Sequence, residues 1–251
     1  MDEIIENIKK LSWFNNSPGE IQEKLLNAPE SFAGFMKELS ERPELIGNIK
    51  MLRLIAIEFG NHFALPVFEV KNEKSGLVYE YEYIGRKRGP HHSVRGLIVL
   101  ESEGEAKYFI VRKSVRFAIG KEVWESVGSI YNPEKEIRQD KYKFKNYLEN
   151  EIAEQFKLPK ISFDRFYDLG MVYPDVGMSS HEVSLFAGVI KENDWNAMIE
   201  LLKDKIVSAK NYEYEYIFVP ADELLEYLTK TNDAHALAIF GRLQALNVIK
   251  L

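Results

Sequence analysis

The sequence predicts an α/β fold, a mixed sheet with helices on both faces, preceded by a small all-helical N-terminal segment. Three observations carry this expectation. Up to about residue 63 apolar residues recur at helical spacing only, beyond about residue 65 strand-like runs take over, and those runs alternate with amphipathic helical stretches. A chain of 251 residues suits one medium domain with a small one attached, and the division expected is 1–64 for the helical extension and 65–251 for the α/β domain.

The elements follow in order. Ile4, Ile5, Ile8 and Leu11 share one helical stripe, and Ser17-Pro18-Gly19-Glu20 offers an N-cap serine, a first-turn proline and a capping-box glutamate before Ile21 and Leu25. Phe32, Phe35, Met36 and Leu39 form a further stripe. After Pro43 the strongly apolar run 45–59 reads as another helix, stopped by Gly60-Asn61. Strands are expected at 67–70 and 77–83, joined by a turn at Lys74-Ser75-Gly76. In the second, Tyr79, Tyr81 and Tyr83 alternate with Glu80 and Glu82, giving one aromatic and one charged face. Strands 94–100 and 107–112 flank Glu103-Gly104-Glu105. A helix covers about 147–156, strands 166–169 and 183–190 follow, then a helix over 194–207, a strand over 212–219, and two closing helices after Glu223 and Asp233.

Composition narrows the chemistry. With no cysteine, disulfides, thiolate catalysis and Cys-ligated zinc are excluded, and the five histidines show no HExxH spacing. A net charge of -6 makes nucleic acid an unlikely partner by charge alone, and the N-terminal helices lack the exposed Arg and Asn of a recognition helix. No apolar run reaches membrane-spanning length and the start Met1-Asp2-Glu3 is acidic, so no membrane partner is expected and a cytoplasmic location is the default.

The chemically informative region is 111–186. It opens Val111-Arg112-Lys113-Ser114-Val115-Arg116, passes Gly120, and reaches Trp124-Glu125-Ser126-Val127-Gly128. Further on, Asn150-Glu151-Ile152-Ala153-Glu154-Gln155-Phe156-Lys157 places residues 151, 154 and 155 at i, i+3 and i+4, on one helical face, with Leu148, Ile152 and Phe156 on the adjoining apolar one. In isolation such glutamates are an ordinary solvated face.

Taken together, these residues resemble the Nudix superfamily, and the region beyond Val67 resembles its ADP-ribose pyrophosphatase branch. There a strand ending in arginine leads through Gly-x-x-x-Trp-Glu into a glycine turn and a catalytic helix. The tract Asp168-Leu169-Gly170 to Ser180, and the ending Asp222-Glu223 with Asn232-Asp233, resemble the same branch. The resemblance implies a Nudix-like α/β/α sandwich that binds or slowly hydrolyses a nucleoside diphosphate derivative of ADP-ribose type. It implies Glu151, Glu154 and the Gln155 position as ligands of Mg²⁺ or Mn²⁺, with Glu151 and Glu154 catalytic and His181 or Glu182 assisting the attacking water. Arg112, Arg116, Glu125 and Gly128 would contact substrate. Carboxylates with open positions suit these ions, which take their remaining ligands from water and phosphate.

The departures fall on the chemistry. Gln155 stands where the family has its last box glutamate, Asn150 for the arginine, Lys157 for the glycine and Ser129 for a loop glycine, while Glu134 and Glu136 match the loop glutamate only loosely. The box is therefore degenerate, and a ligand-sensing module acting through the N-terminal helices is the alternative. Arg112 and Arg116 can serve a phosphate or a local glutamate. The turn Arg86-Lys87-Arg88 before His91-His92 reads as solvated or as an anion site, and His181 as a polar loop residue or a base. Trp124 and Trp195 read as core or interface residues. The resemblance further implies a homodimer through the front strands, to which the face of Tyr79, Tyr81 and Tyr83 could contribute; an internal packing face explains the same pattern.

Overall fold

The computed structural model describes residues 1–89, 92–116, 118, 120–128, 130–131, 140–175, 179, 181–191, 195, 199–200, 206–209 and 212–248. By contacts the chain divides into two compact units, Met1–His91 with Asp175–Glu182, and His92–Pro174 with Val183–Leu251.

The first unit opens with helices α1 (Asp2–Ile8), α2 (Ser12–Asn15), α3 (Gly19–Leu26) and α4 (Ala33–Glu41). A five-stranded sheet follows, β1 (Leu45–Ile46), β2 (Ile49–Phe59), β3 (Phe63–Asn72) and β4 (Val78–Glu82) in that order, with β5 (Gly85–Arg86) also on β3. The expected helix over 45–59 is thus a strand. Its pairing with β3 slips between Met51 and Arg53 and again between Leu54 and Ala56. Such bulges break period-two alternation, so the apolar run carried no strand signature. Leu54 and Ile57 are buried with Trp13, Phe35 and Phe68, Trp13 meeting the Phe68 ring edge-on at 5.2 Å. The expected boundary at residue 64 falls within the β2–β3 pairing, where Phe59 faces Ala64.

Ser17 does not cap α3, whose N-cap is Pro18. Its hydroxyl donates to the Trp13 carbonyl at 2.7 Å and accepts the Leu54 amide at 2.8 Å, tying the helices to β2. The tyrosine face is divided, with Tyr81 exposed and the other two tyrosines packed on this unit's own core. Tyr83 is buried beneath the Arg42 guanidinium, 4.3 Å from its ring centre, and Tyr79 packs against the same cluster.

The second unit is built on an eight-stranded sheet. Its strands are β6 (His92–Ser102), β7 (Glu105–Arg116), β8 (Lys121–Ser126), β9 (Ile130–Tyr131), β10 (Arg165–Val172), β11 (Glu182–Lys191), β12 (Ile206–Ala209) and β13 (Tyr212–Pro220). The order is β10-β11-β6-β7-β13-β12, with β8 beside β7 and β9 beside β6. Alternate residues feed two cores, as the pleat requires. Ile98, Leu100 and Ile110 pack with Phe144, Leu148, Ile152 and Phe156 of α5 (Lys141–Phe156). Leu97, Val99, Phe109 and Val111 pack with α6 (Leu224–Lys230) and α7 (Ala234–Ala245) on the other face. Helices therefore cover both faces, as expected.

Helix α5 starts earlier than its apolar periodicity suggested, because Asp140 caps it by accepting the Tyr142 and Lys143 amides. In the expected helix over 194–207, the described residues 195, 199 and 200 are helical, but 206–209 form β12, held by β13. Among the described residues, no helix is long and apolar enough to cross a membrane.

Candidate functional site

Three residues on one face of β7 set up a highly charged cluster in the second unit. Arg112, Ser114 and Arg116 stand at alternate positions, and β8 pairs antiparallel so that Glu125 lies opposite Arg112. Glu125 is buried. Its Oε1 accepts from Arg112 Nε and Nη2 at 3.0 and 2.7 Å and from Ser114 Oγ at 2.8 Å. Arg116 reaches both carboxylate oxygens, at 2.6 and 2.5 Å from Nη2. Arg95 adds a third guanidinium 3.9 Å away. Burial pushes the Glu125 carboxyl up, but the charge of Arg112, the Arg116 hydrogen bond and the charge of Arg95 outweigh it and hold the group below the ordinary glutamate range. Burial lowers Arg95, and neighbouring Arg112 lowers it further.

The turn after β8 completes this arrangement. Arg112 Nη1 donates to the Gly128 carbonyl at 3.1 Å. A Cβ at Gly128 would stand 2.0 Å from the Val94 carbonyl oxygen, so only glycine lets the turn lie this close to β6. On the opposite face of β8, Ser126 donates through its amide and its hydroxyl to Asp233 Oδ2, both at 2.7 Å. Asp233 also caps α7, accepting the His235 amide at 2.9 Å, and its carboxylate lies 3.0 Å from His235 Nδ1. Burial raises the Asp233 carboxyl, yet the hydrogen bonds from His235 and Ser126 hold it well below the usual aspartate range.

Glu151, Glu154 and Gln155 share one face of α5, as their spacing predicts. Glu154 is exposed and Glu151 half-buried. The two amide atoms of Gln155 are shut off from solvent and have no hydrogen-bond partner among the described residues. The C-terminal turn of α5 lies on the sheet face of Arg112. Phe156 meets Tyr216 with ring centres 4.3 Å apart, and Tyr216 is the cross-strand partner of Arg112. Lys157 ends the helix in the left-handed region, at φ 55°.

Among the described residues, no three side chains of His, Asp or Glu gather as a metal site. The described residues at the positions the resemblance gives to Mg²⁺ or Mn²⁺ are two carboxylates, Glu151 and Glu154, and the Gln155 amide, one negative charge fewer than three carboxylates. Ser129, Glu134 and Glu136 lie outside the described residues, as do Ser180 and His91. His181 and Glu182 are half-buried and belong by contacts to the first unit, with the His181 amide donating to Ser179 Oγ at 3.1 Å.

Of the residues named from sequence, the structure gathers Arg112, Arg116, Glu125 and Gly128. Arg95, Ser126 and Asp233 were given no role by sequence reasoning. The alternation of Arg112, Ser114 and Arg116 was a signal that could have been read. The Ser126–Asp233 contact, 107 residues apart in sequence, left none. In the turn 86–88, the Arg86 guanidinium sits over the Phe63 ring at 5.2 Å. Trp195 is buried and donates to the Glu101 carbonyl at 3.0 Å, whereas Trp124 is 41% exposed and stacks on Tyr227. A cavity of 360 Å³ beside Trp124 opens on the sheet face opposite Glu125 and is lined by none of the residues named for chemistry.

A layered α/β unit with a strand-end guanidinium cluster under a carboxylate-bearing helix is the class that fold and site define. No protein-family model matches the sequence, and no curated protein matches it. Among solved structures the fold is similar to one described as the crystal structure of an ADP compounds hydrolase, at a TM-score of 0.55 and 10% identity, over 81% of this chain and 96% of that one. At that identity the likeness concerns the fold alone.

Proposed function

We propose that the second unit is a Nudix-type domain that binds a nucleoside diphosphate derivative of ADP-ribose type. The observation that carries this reading is the gathering of Arg95, Arg112 and Arg116 on the single carboxylate of Glu125. Guanidiniums in fixed forks suit phosphate oxygens, and Arg116, 39% exposed, is the most open of the three. The fold similarity to an ADP compounds hydrolase supports the choice of ligand class.

Glu125 has a positioning role in this reading, fixing the arginines before the ligand arrives so that little side-chain entropy is lost on binding. Hydrolysis is the further arm of the proposal, with Glu151 and Glu154 as its carboxylates.

The test is calorimetric titration with ADP-ribose, NAD and dinucleoside polyphosphates, run beside a phosphate-release assay with and without Mg²⁺ or Mn²⁺. ADP-ribose is expected to bind. Arg116→Ala should weaken it about tenfold or more, the worth of a charge-assisted hydrogen bond. Failure of every one of these ligands to bind would reject the proposal.

A further inference from the structure

The cavity beside Trp124 has the size of a small-molecule site, 360 Å³, and lies on the sheet face turned away from Glu125. Strand alternation puts it there. Trp124 of β8 projects opposite to Glu125, and Ile217 and Val219 of β13 stand on the Trp124 face. The remaining wall comes from α6 and the residues flanking it.

Trp124 is the feature that calls for an occupant. Trp13 and Trp195 are buried, whereas Trp124 is 41% exposed. Its ring is nonetheless held, lying 24° from parallel to the buried ring of Tyr227 with 6.3 Å between centres. A ring fixed in advance at a concave wall loses little freedom when a ligand covers it.

Charge then selects the ligand. Among the described residues, Glu122, Glu223 and Glu226 line the cavity against one cation, Lys230. Lys230 pairs with Glu226, and Glu122 pairs with Lys113, while Glu223 is exposed and has no ion pair among the described residues. An anionic ligand would be repelled here. An indole face attracts cations through its quadrupole, and the carboxylates act in the same sense. The apolar wall of Ile217 and Val219 sets a further condition, because a metal ion or a bare ammonium would shed water against groups that return no hydrogen bond. A cation that carries its own methyl groups meets all of these conditions.

We infer that this cavity binds a small organic cation of quaternary-ammonium type, seated over the Trp124 ring with Glu223 as its counter-charge. It lies on the other sheet face from the guanidinium cluster, and the inference does not depend on the function proposed above.

The full chain is titrated with choline by calorimetry, and in parallel with dimethylbutanol, which has the same shape with carbon in place of the charged nitrogen. Choline should bind with a dissociation constant of about 1 mM or below, and dimethylbutanol about tenfold or more weakly. Trp124→Leu should weaken choline about tenfold. Glu223→Gln, a change at an exposed position that leaves the packing intact, should weaken it about threefold and reduce its sensitivity to salt. Equal affinity for choline and dimethylbutanol would overturn the inference, since the cavity would then not read charge. Choline binding that neither variant alters would overturn it as well, as would the absence of choline binding up to about 10 mM.

Discussion

Asp233 shows how a single carboxylate serves two elements at once. It accepts two hydrogen bonds from Ser126 on β8 and caps α7 through the His235 amide. Because its folded proton affinity is lowered, the clamp contributes its full stability above the ordinary aspartate pKa of about 4 and loses it as pH falls toward the depressed folded value. Asp233→Asn should be less stable at neutral pH by about 1–3 kcal/mol, the worth of charge-assisted bonds. Its thermal midpoint should also fall less steeply than the native one as the buffer is acidified below about pH 5. Equal acid slopes in the two proteins would show that the clamp does not work through its charge. At this scale legibility followed sequence distance. Glu125 lies 9 residues from Arg116 and 13 from Arg112, and pairing with a local glutamate was one of the two readings the arginines allowed. Asp233 meets Ser126 from 107 residues away, and only the packed sheet makes that contact visible.

The elements that sequence made legible are those whose pattern the packing leaves undisturbed. Strands β6, β7, β11 and β13 carry β-branched or alternating residues, and the two closing helices follow cap signals. Strand β2 was misread because its two register shifts scramble the alternation, leaving an apolar run that fits a helix as well. The end of α5 is a subtler case. The Lys157 and Leu158 amides return to the Glu154 and Ala153 carbonyls at 3.1 and 2.9 Å, closing the helix through a left-handed residue at which glycine is unstrained. The departure from glycine was visible in sequence; that the backbone keeps the glycine conformation was not. Lys157→Gly should therefore stabilise the protein by about 1 kcal/mol, the strain of a left-handed L-residue less the entropy of a freer unfolded chain. A urea unfolding series reads the change, and a lower midpoint would mean that the lysine side chain contributes more than its backbone strain removes.

For the whole molecule, the layered α/β plan was legible because alternate residues of β6 and β7 feed two separate cores. At the metal positions implied by resemblance the described residues are Glu151, Glu154 and the amide of Gln155, so the negative charge there is lower by one than three carboxylates would give. The organisation of the first 91 residues was only half visible. Their four helices do not stand alone but cover a sheet whose longest strands, β2 and β3, lie on either side of residue 64. A chain shortened to 65–251 would keep both cores of the sandwich while stripping β2 and the helices from β3, exposing the otherwise buried Phe68 and Val70. Such a strand presents unpaired backbone groups beside an apolar face, a template for association with other chains. The shortened chain should accordingly elute as oligomers in size-exclusion chromatography and be clipped by protease within residues 65–91. A monodisperse product with β3 amides as protected against exchange as in the full chain would place the division at residue 64 after all.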